Sequence, residues 1–251
     1  MAEPMLSIRN LCKSYGALAV TNDVSLDIMP GELHAIIGPN GAGKTTLIQQ
    51  LSGSVPGDSG KVLYLGDDIT HASIEARVRR GLARSFQITS ILAGFTALEN
   101  VALAVQARSG SSFRFFGRSD REEALNREAA EALRTVGLQA RAQQLAGTLS
   151  HGGKRLLELA IALATKPQLL LLDEPFAGIG HEESAALIET MRKLKARYTI
   201  VLIEHDMDAV FALADRVSVL VYGTVLITGD PQSVRADPKV REAYLGEEEA
   251  A

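Results

Sequence analysis

Residues 38 to 45 read GPNGAGKT, which fits the spacing G-x-x-x-x-G-K-[ST]. Gly38, Gly41 and Gly43 free the backbone to curl until its N–H groups point inward at an anion, and a helix that follows adds its positive end. Lys44 then reaches the β and γ phosphates of a nucleotide, and Thr45 offers a hydroxyl to Mg²⁺. With these, Pro39, Asn40, Ala42 and Thr46 make up the candidate ATP-binding residues of the loop. A Gly-rich turn alone would carry little meaning. This one is preceded by an apolar strand pattern and followed by a helical one, which is the context a phosphate loop requires.

The run LLLLDE at 169 to 174 supplies the second half of a nucleotide site. Four leucines form a buried strand, and Asp173 emerges at its end, where it can hold the water shell of a metal ion. Glu174 follows directly, placed to polarise a water for in-line attack on the γ-phosphorus. On their own, acidic residues after a strand are commonly helix-start charges. Downstream of a phosphate loop, catalysis is the better account.

The elements that must position these residues are legible from periodicity. The segments 6–15 and 24–28 alternate like edge strands, whereas 32–38 (ELHAIIG) is almost unbroken apolar sequence, as in a strand covered on both faces. The first region thus mixes antiparallel and buried parallel signals. A helix is expected from about Lys44, then a strand at 61–66, a helix at 74–80 and a short strand at 83–86. From Thr96 to about Thr148 the sequence is helical and charged, with SGSSFRFFGRS (109 to 119) interrupting it. FRFF within it reads as a packed loop of a helical subdomain, with lipid or partner contact as the alternative.

Beyond this point helix and strand alternate: 155–165, 168–174, 182–197, 198–204 and 208–216. Such alternation argues for a parallel α/β sheet whose ligand sits at the carboxyl ends of the strands. Residues 217–229 read as a closing hairpin around Tyr222, Gly223 and Thr224. The EEE near the C-terminus reads as a solvated tail.

Composition describes an ordinary globular chain: 251 residues, 46% apolar, with a net charge of −4. That charge gives no global attraction to nucleic acid, and RVRRG at 77 to 81 is too short for a basic patch, so no nucleic-acid partner is expected. Cys12 is the single cysteine; it cannot form an internal disulfide, and a reducing compartment fits. No apolar run approaches the roughly 20 residues needed to span a bilayer. MAEPMLSIRN has neither the basic start nor the apolar stretch of a signal peptide.

From the phosphate loop through LSHGGKR (149 to 155), LLLLDEP and IEHD, the chain resembles the ATP-binding subunits of ABC transporters, over nearly its whole length and in the family's order. The resemblance implies one ABC-type P-loop NTPase domain over 1–251, α/β with a mixed sheet, and a helical subdomain at about 88–165. In that family a signature usually reading LSGGQ completes the ATP site of the opposite subunit. Here Leu149, Ser150 and Gly152 keep their positions, His151 replaces the first glycine, and Gly153 replaces the glutamine. The γ-phosphate needs a hydroxyl and backbone N–H groups at a helix N-terminus, which Ser150 and Gly152 still provide. The motif therefore reads as a variant signature; a polar helix cap is the plainer alternative.

Other positions are carried over singly. Tyr15 resembles the aromatic residue that stacks on adenine, Gln87 the glutamine that senses metal and attacking water, and His205 the γ-phosphate switch histidine. The implied metal contacts are Thr45, Gln87 and Asp173. After DEP the family commonly has a loop ending in aspartate that couples the two sites; this chain has Gly180 there, which weakens the expectation of cross-site communication.

LSHG, IEHDM and DPKVREAYLGE together resemble the ATPases of bacterial importers for branched-chain amino acids, amides and urea. DEPFAG with AYLGE also resembles the ATPase of lipopolysaccharide export, the second reading within transport. A soluble ABC ATPase of DNA repair or translation would carry a long coiled-coil insertion or a second cassette, and neither is present. A regulatory module without turnover would not need Glu174 and His205. The partners implied are transmembrane permease subunits, a second ATPase subunit, identical or related, and a solute-binding protein acting through the permease. The implied location is peripheral, on the cytoplasmic face of the inner or plasma membrane.

Overall fold

The computed structural model describes residues 3–85, 91–109 and 119–248. The chain opens with β1 (Leu6–Tyr15) and β2 (Leu18–Ile28), which pair antiparallel from Leu6↔Ile28 to Tyr15↔Leu18. The second strand is longer than its apolar alternation suggests, because pairing with β1 carries it back to Leu18, where the side chains are exposed. Next come β3 (Leu33–Ile37), the phosphate loop, α1 (Lys44–Ser52), β4 (Ser59–Tyr64), the short β5 (Asp67–Asp68), α2 (Ile74–Arg79) and β6 (Leu82–Arg84). The mixed signals of the first region resolve into two separate sheets: an antiparallel one in the order β2-β1-β4-β5, and a second to which β3 contributes a central strand.

The second sheet runs through β7 (Leu169–Asp173), β8 (Thr199–Ile203), β9 (Arg216–Val221) and β10 (Thr224–Gly229), in the order β10-β9-β3-β8-β7-β6. Neighbours are parallel except for the β9–β10 hairpin. The leucine run explains why β7 lies inside the sheet, between β8 and β6. Leu169 and Leu171 enter the core between the two sheets, while Leu170 and Leu172 enter the core under the helices. In β8, Val201 and Ile203 face the first core, Ile200 and Leu202 the second. Each fully buried leucine contributes about 1.5–3 kcal/mol, so β7 and β8 are held from both faces, and the carboxyl ends of these strands are fixed points.

The charged region after β6 divides into α3 (Ala97–Arg108) and α4 (Ser119–Thr135), followed by two single-turn 3-10 segments and α5 (His151–Ala164). Helix α3 starts on a capping box in which the Thr96 side chain accepts from the Glu99 N–H and the Glu99 carboxylate from that of Thr96. Apolar side chains of α3, α4 and α5, among them Val101, Leu133 and Leu157, share one core with the underside of the sheet. Helices α6 (His181–Lys195) and α7 (Met207–Leu213) are the crossovers on either side of β8. The C-terminal segment, for which the sequence led to no expected element before the terminal EEE, forms α8 (Pro231–Ala236) and α9 (Pro238–Glu248), because Val234 and Val240 pack against β3, β9 and α7.

Candidate functional site

The phosphate loop lies between β3 and α1 at the carboxyl end of the second sheet, where neighbouring backbone crowds it. A Cβ on Gly38 would lie 2.0 Å from the Leu220 carbonyl oxygen, and one on Gly43, whose φ is 98°, would lie 2.1 Å from that of Val20. No side chain can be accommodated at either position. The turn of the β9–β10 hairpin braces the loop from outside: Gly223 N–H donates to the Ala42 carbonyl (2.9 Å) and the Gly223 carbonyl accepts from Asn22 N–H (2.8 Å). Lys44 is buried inside the curl, its ammonium donating to the carbonyls of Gly38 (2.6 Å) and Pro39 (2.9 Å). Thr45 and Thr46 follow in the first turn of α1.

Asp173 ends β7, paired with Ile203 of β8. It is buried, and its Oδ2 accepts from Arg84 Nη2 at 3.0 Å, with Arg84 Nη1 also reaching the Ser52 hydroxyl at 3.2 Å. Burial pushes the Asp173 carboxyl up from its usual range, against the opposing pull of Arg84. Its Oδ1 is buried with no hydrogen-bond partner among the described residues. At Glu174 the chain turns out of the strand through a left-handed conformation, φ 47°, held by its N–H donating to the Ile203 carbonyl at 2.9 Å. A non-glycine residue in this region is a strained feature, and here it carries the carboxylate expected to polarise water.

His205 stands just past β8, with an exposed ring. Its Nδ1 lies 3.9 Å from Glu174 Oε1 and 3.7 Å from Glu204 Oε2. The structure thus brings Lys44, Asp173, Glu174 and His205 to the carboxyl ends of three adjacent strands, β3, β7 and β8.

Ser150 is the N-cap of α5, its hydroxyl accepting from Gly153 N–H at 3.2 Å, so His151, Gly152 and Gly153 form the first helical turn. Leu149 is buried and anchors the segment, while His151 is exposed. Gly152 N–H donates to the Glu183 carboxylate of α6 at 3.2 Å, and a Cβ on Gly152 would lie 2.7 Å from Glu183 Cδ. A hydrogen bond from Ser150 is the main influence holding the Glu183 carboxyl below its ordinary range, with His151 adding an attraction. Gly180, at the N-cap of α6, has no side chain to cap that helix.

Tyr15 ends β1 half exposed, with the Lys13 ammonium 5.4 Å from its ring centroid. Gln87 and the FRFF stretch lie outside the described residues.

Three residues with a place in this geometry are not singled out by sequence reasoning: Arg84, Glu183 and Glu204. Arg84 sits on a strand of three residues, too short to show a period. Glu183 looks like any first-turn acid of a helix. A signal existed for Glu204, a carboxylate directly after the apolar run TIVLI. It is fully buried, with burial pushing its carboxyl up while backbone N–H donors draw it down.

Among the described residues no helix is long and apolar enough to cross a membrane. The pattern of the ABC transporter family matches residues 21–177, and that of the branched-chain amino acid ATP-binding cassette transporters matches 225–250. The chain is 37% identical to the high-affinity branched-chain amino acid transport ATP-binding protein LivG of Escherichia coli, over 98% of this chain and 100% of that one. It is 35% identical to the corresponding protein BraF of Pseudomonas aeruginosa, with the same coverage. Among solved structures, an ATP-binding cassette of an ABC transporter in its ADP conformation superposes with a TM-score of 0.86 at 30% identity, covering 98% of this chain and 100% of that one. A nucleotide-free cassette gives 0.84 at 28% identity, over 96% and 98%. With the phosphate loop, the acidic strand end and the LSHGGKR segment in that order on the fold of these cassettes, the chain belongs to the ABC transporter family as an ATP-binding, ATP-hydrolysing cassette.

Proposed function

We propose that this ATPase powers the uptake of branched-chain amino acids, or of related small polar solutes such as amides or urea, from the cytoplasmic face of the membrane. The observation that carries the solute class is the full-length similarity to LivG and BraF, together with the C-terminal match at 225–250. Two ATPase subunits, identical or related, face each other beneath transmembrane permease subunits, and a solute-binding protein delivers cargo to the permease. A groove of about 170 Å³ lined by Ile74, Val78, Leu82, Ile91 and Ile161 adjoins the segment after β6 and suits an apolar contact from the permease.

Within each subunit the curled phosphate loop offers its N–H groups to the triphosphate, and Lys44 exchanges its contacts with the Gly38 and Pro39 carbonyls for the β and γ oxygens. Tyr15 stacks on adenine. The buried Asp173 Oδ1, without a hydrogen-bond partner among the described residues, fits a site for Mg²⁺, which Thr45, Asp173 and Gln87 would hold directly or through water. The ion supplies charge neutralisation of the phosphates. Glu174 polarises the attacking water and His205 contacts the γ-phosphate. Ser150 and Gly152, at the N-terminus of α5, bind the γ-phosphate held by the opposite subunit, Leu149 anchors their turn, and His151 and Gly153 complete it.

The test is reconstitution. The tagged chain is purified with the membrane protein that accompanies it, placed in liposomes, and assayed for ATP-driven uptake of leucine, isoleucine, valine, urea and short amides. Accumulation of at least one of these, abolished without ATP, is expected. ATP hydrolysis stimulated by lipopolysaccharide and by none of these solutes would replace the importer reading with the exporter one.

A further inference from the structure

The ladder between β7 and β8 ends at Asp173↔Ile203, yet the residues expected to act on the γ-phosphate, Glu174 and His205, lie one and two residues beyond it. Beyond the Glu174 N–H bond to Ile203, the backbones diverge: one chain turns at Glu174 and the other enters α7. Glu204 fills the gap between them. Its side chain is 0% exposed; Oε1 accepts from Phe176 N–H at 2.9 Å, and Oε2 accepts from His205 N–H at 2.9 Å and Asp206 N–H at 3.1 Å. One carboxylate thus replaces the missing rungs, joining the loop that carries Glu174 to the loop that carries His205.

The chemistry of the group argues against filler. A buried carboxylate loses its hydration, and among the described residues no lysine or arginine forms an ion pair with it; the ionisable base near it is His205, whose Nδ1 lies 3.7 Å from Oε2. An apolar side chain would fill the volume without that cost. What only a carboxylate supplies is two acceptor oxygens on one rigid plane, enough to take three N–H groups from two loops. Asp206, the next residue but one, caps α7 by accepting from Ala209 N–H at 3.1 Å. The backbone of His205 is thereby held on both sides, while its ring stays exposed.

We propose that Glu204 is a positioning residue for hydrolysis, fixing His205 relative to Glu174 by tying the loop after β7 to the loop after β8. The proposal rests on the roles given to Glu174 and His205 above. In Glu204→Gln an amide N–H₂ confronts backbone N–H donors, so one of the two loops is released with little change in volume. Turnover, KM and nucleotide affinity are compared for the wild type, Glu204→Gln, Glu204→Asp, His205→Ala and the double variant Glu204→Gln/His205→Ala, with thermal unfolding of each.

The expected result is a kcat lowered about 10- to 100-fold in Glu204→Gln, with KM and Kd for ATP within about threefold of wild type. In the His205→Ala background the same change should lower the residual rate by less than about threefold, because the residue being positioned is gone. Glu204→Asp, too short to reach both loops, should also lose turnover while binding ATP. An equal loss of rate in both backgrounds, or a loss of ATP affinity matching the loss of rate, would overturn the proposal in favour of general destabilisation. If Glu204→Gln does not fold, Glu204→Asp with normal turnover overturns it alone. Normal turnover in His205→Ala would instead remove the reading of His205, and with it the target through which Glu204 is said to act.

Discussion

In the function proposed above, two helix N-termini of this chain meet the same chemical group, and they are finished differently. Helix α1 begins at Gly43, with no side-chain cap and no acidic residue in its first turn. Helix α5 begins at Ser150, whose hydroxyl caps it, and a carboxylate from α6 lies against Gly152. The orphan N–H groups of a helix start are stabilised by an anion or by a capping oxygen. At α1 the loop itself shapes an anion cradle around Lys44, braced by carbonyls of β2 and β9 that exclude any side chain at Gly43 and Gly38. At α5 the Ser150 hydroxyl caps the Gly153 N–H, and the carboxylate of Glu183 on a neighbouring helix covers the Gly152 N–H. A nucleotide held by the chain's own backbone suits the first, and a phosphate arriving from another subunit, displacing a carboxylate, suits the second.

The largest effect expected from breaking this contrast is at Lys44. Lys44→Ala removes the ammonium inside the cradle, and hydrolysis should fall about 100-fold or more, measured as phosphate release at saturating ATP. Turnover near that of the wild type would show that the loop does not hold the triphosphate. Next in size is Glu174→Gln, expected to lower the hydrolysis rate by about 100-fold while preserving Mg-ATP binding. ATP-dependent dimers should then accumulate on size-exclusion chromatography.

A mixed pair sharpens the comparison. One subunit carries Lys44→Ala and the other Ser150→Arg, each inactive paired with itself. If α5 serves the opposite chain, one site in the mixed pair is doubly broken and the other intact, so partial hydrolysis should return, at less than half the normal rate given coupling between sites. Mixed dimers that form and bind ATP without regaining any rate speak for a site built within one chain. The smallest effect is expected at His151, whose side chain is exposed and faces the Glu183 charge. His151→Gly should change turnover by less than about tenfold, equivalent to roughly 1.4 kcal/mol of barrier. A larger gain would identify the histidine as a brake.

Much of the site is legible in the sequence because its chemistry is local. The phosphate loop needs its glycines, lysine and threonine within eight consecutive positions, and Asp173 with Glu174 need only a strand to end beneath them. The buried strands announce themselves too, since LLLLD is apolar except at its last position and TIVLI except at its first. Weak periodicity hides other elements. β6 has three residues, and α8 and α9 are short polar helices that fold because Val234 and Val240 find β3, β9 and α7.

What the sequence by itself determined is therefore the identity and order of the candidate site residues: Lys44 and Thr45 after one buried strand, Asp173 and Glu174 at the end of a second, His205 after a third. Only the tertiary structure decided which strands are neighbours, since β3, β8 and β7 are far apart in the chain and adjacent in the sheet. It also decided who holds whom. Arg84 against Asp173, Glu183 against Gly152 and Glu204 across two loops are contacts between residues separated by 89, 31 and 28 positions. A carboxylate carries no mark of its partner in its own neighbourhood of the sequence; its role is set by the donors that packing brings to it.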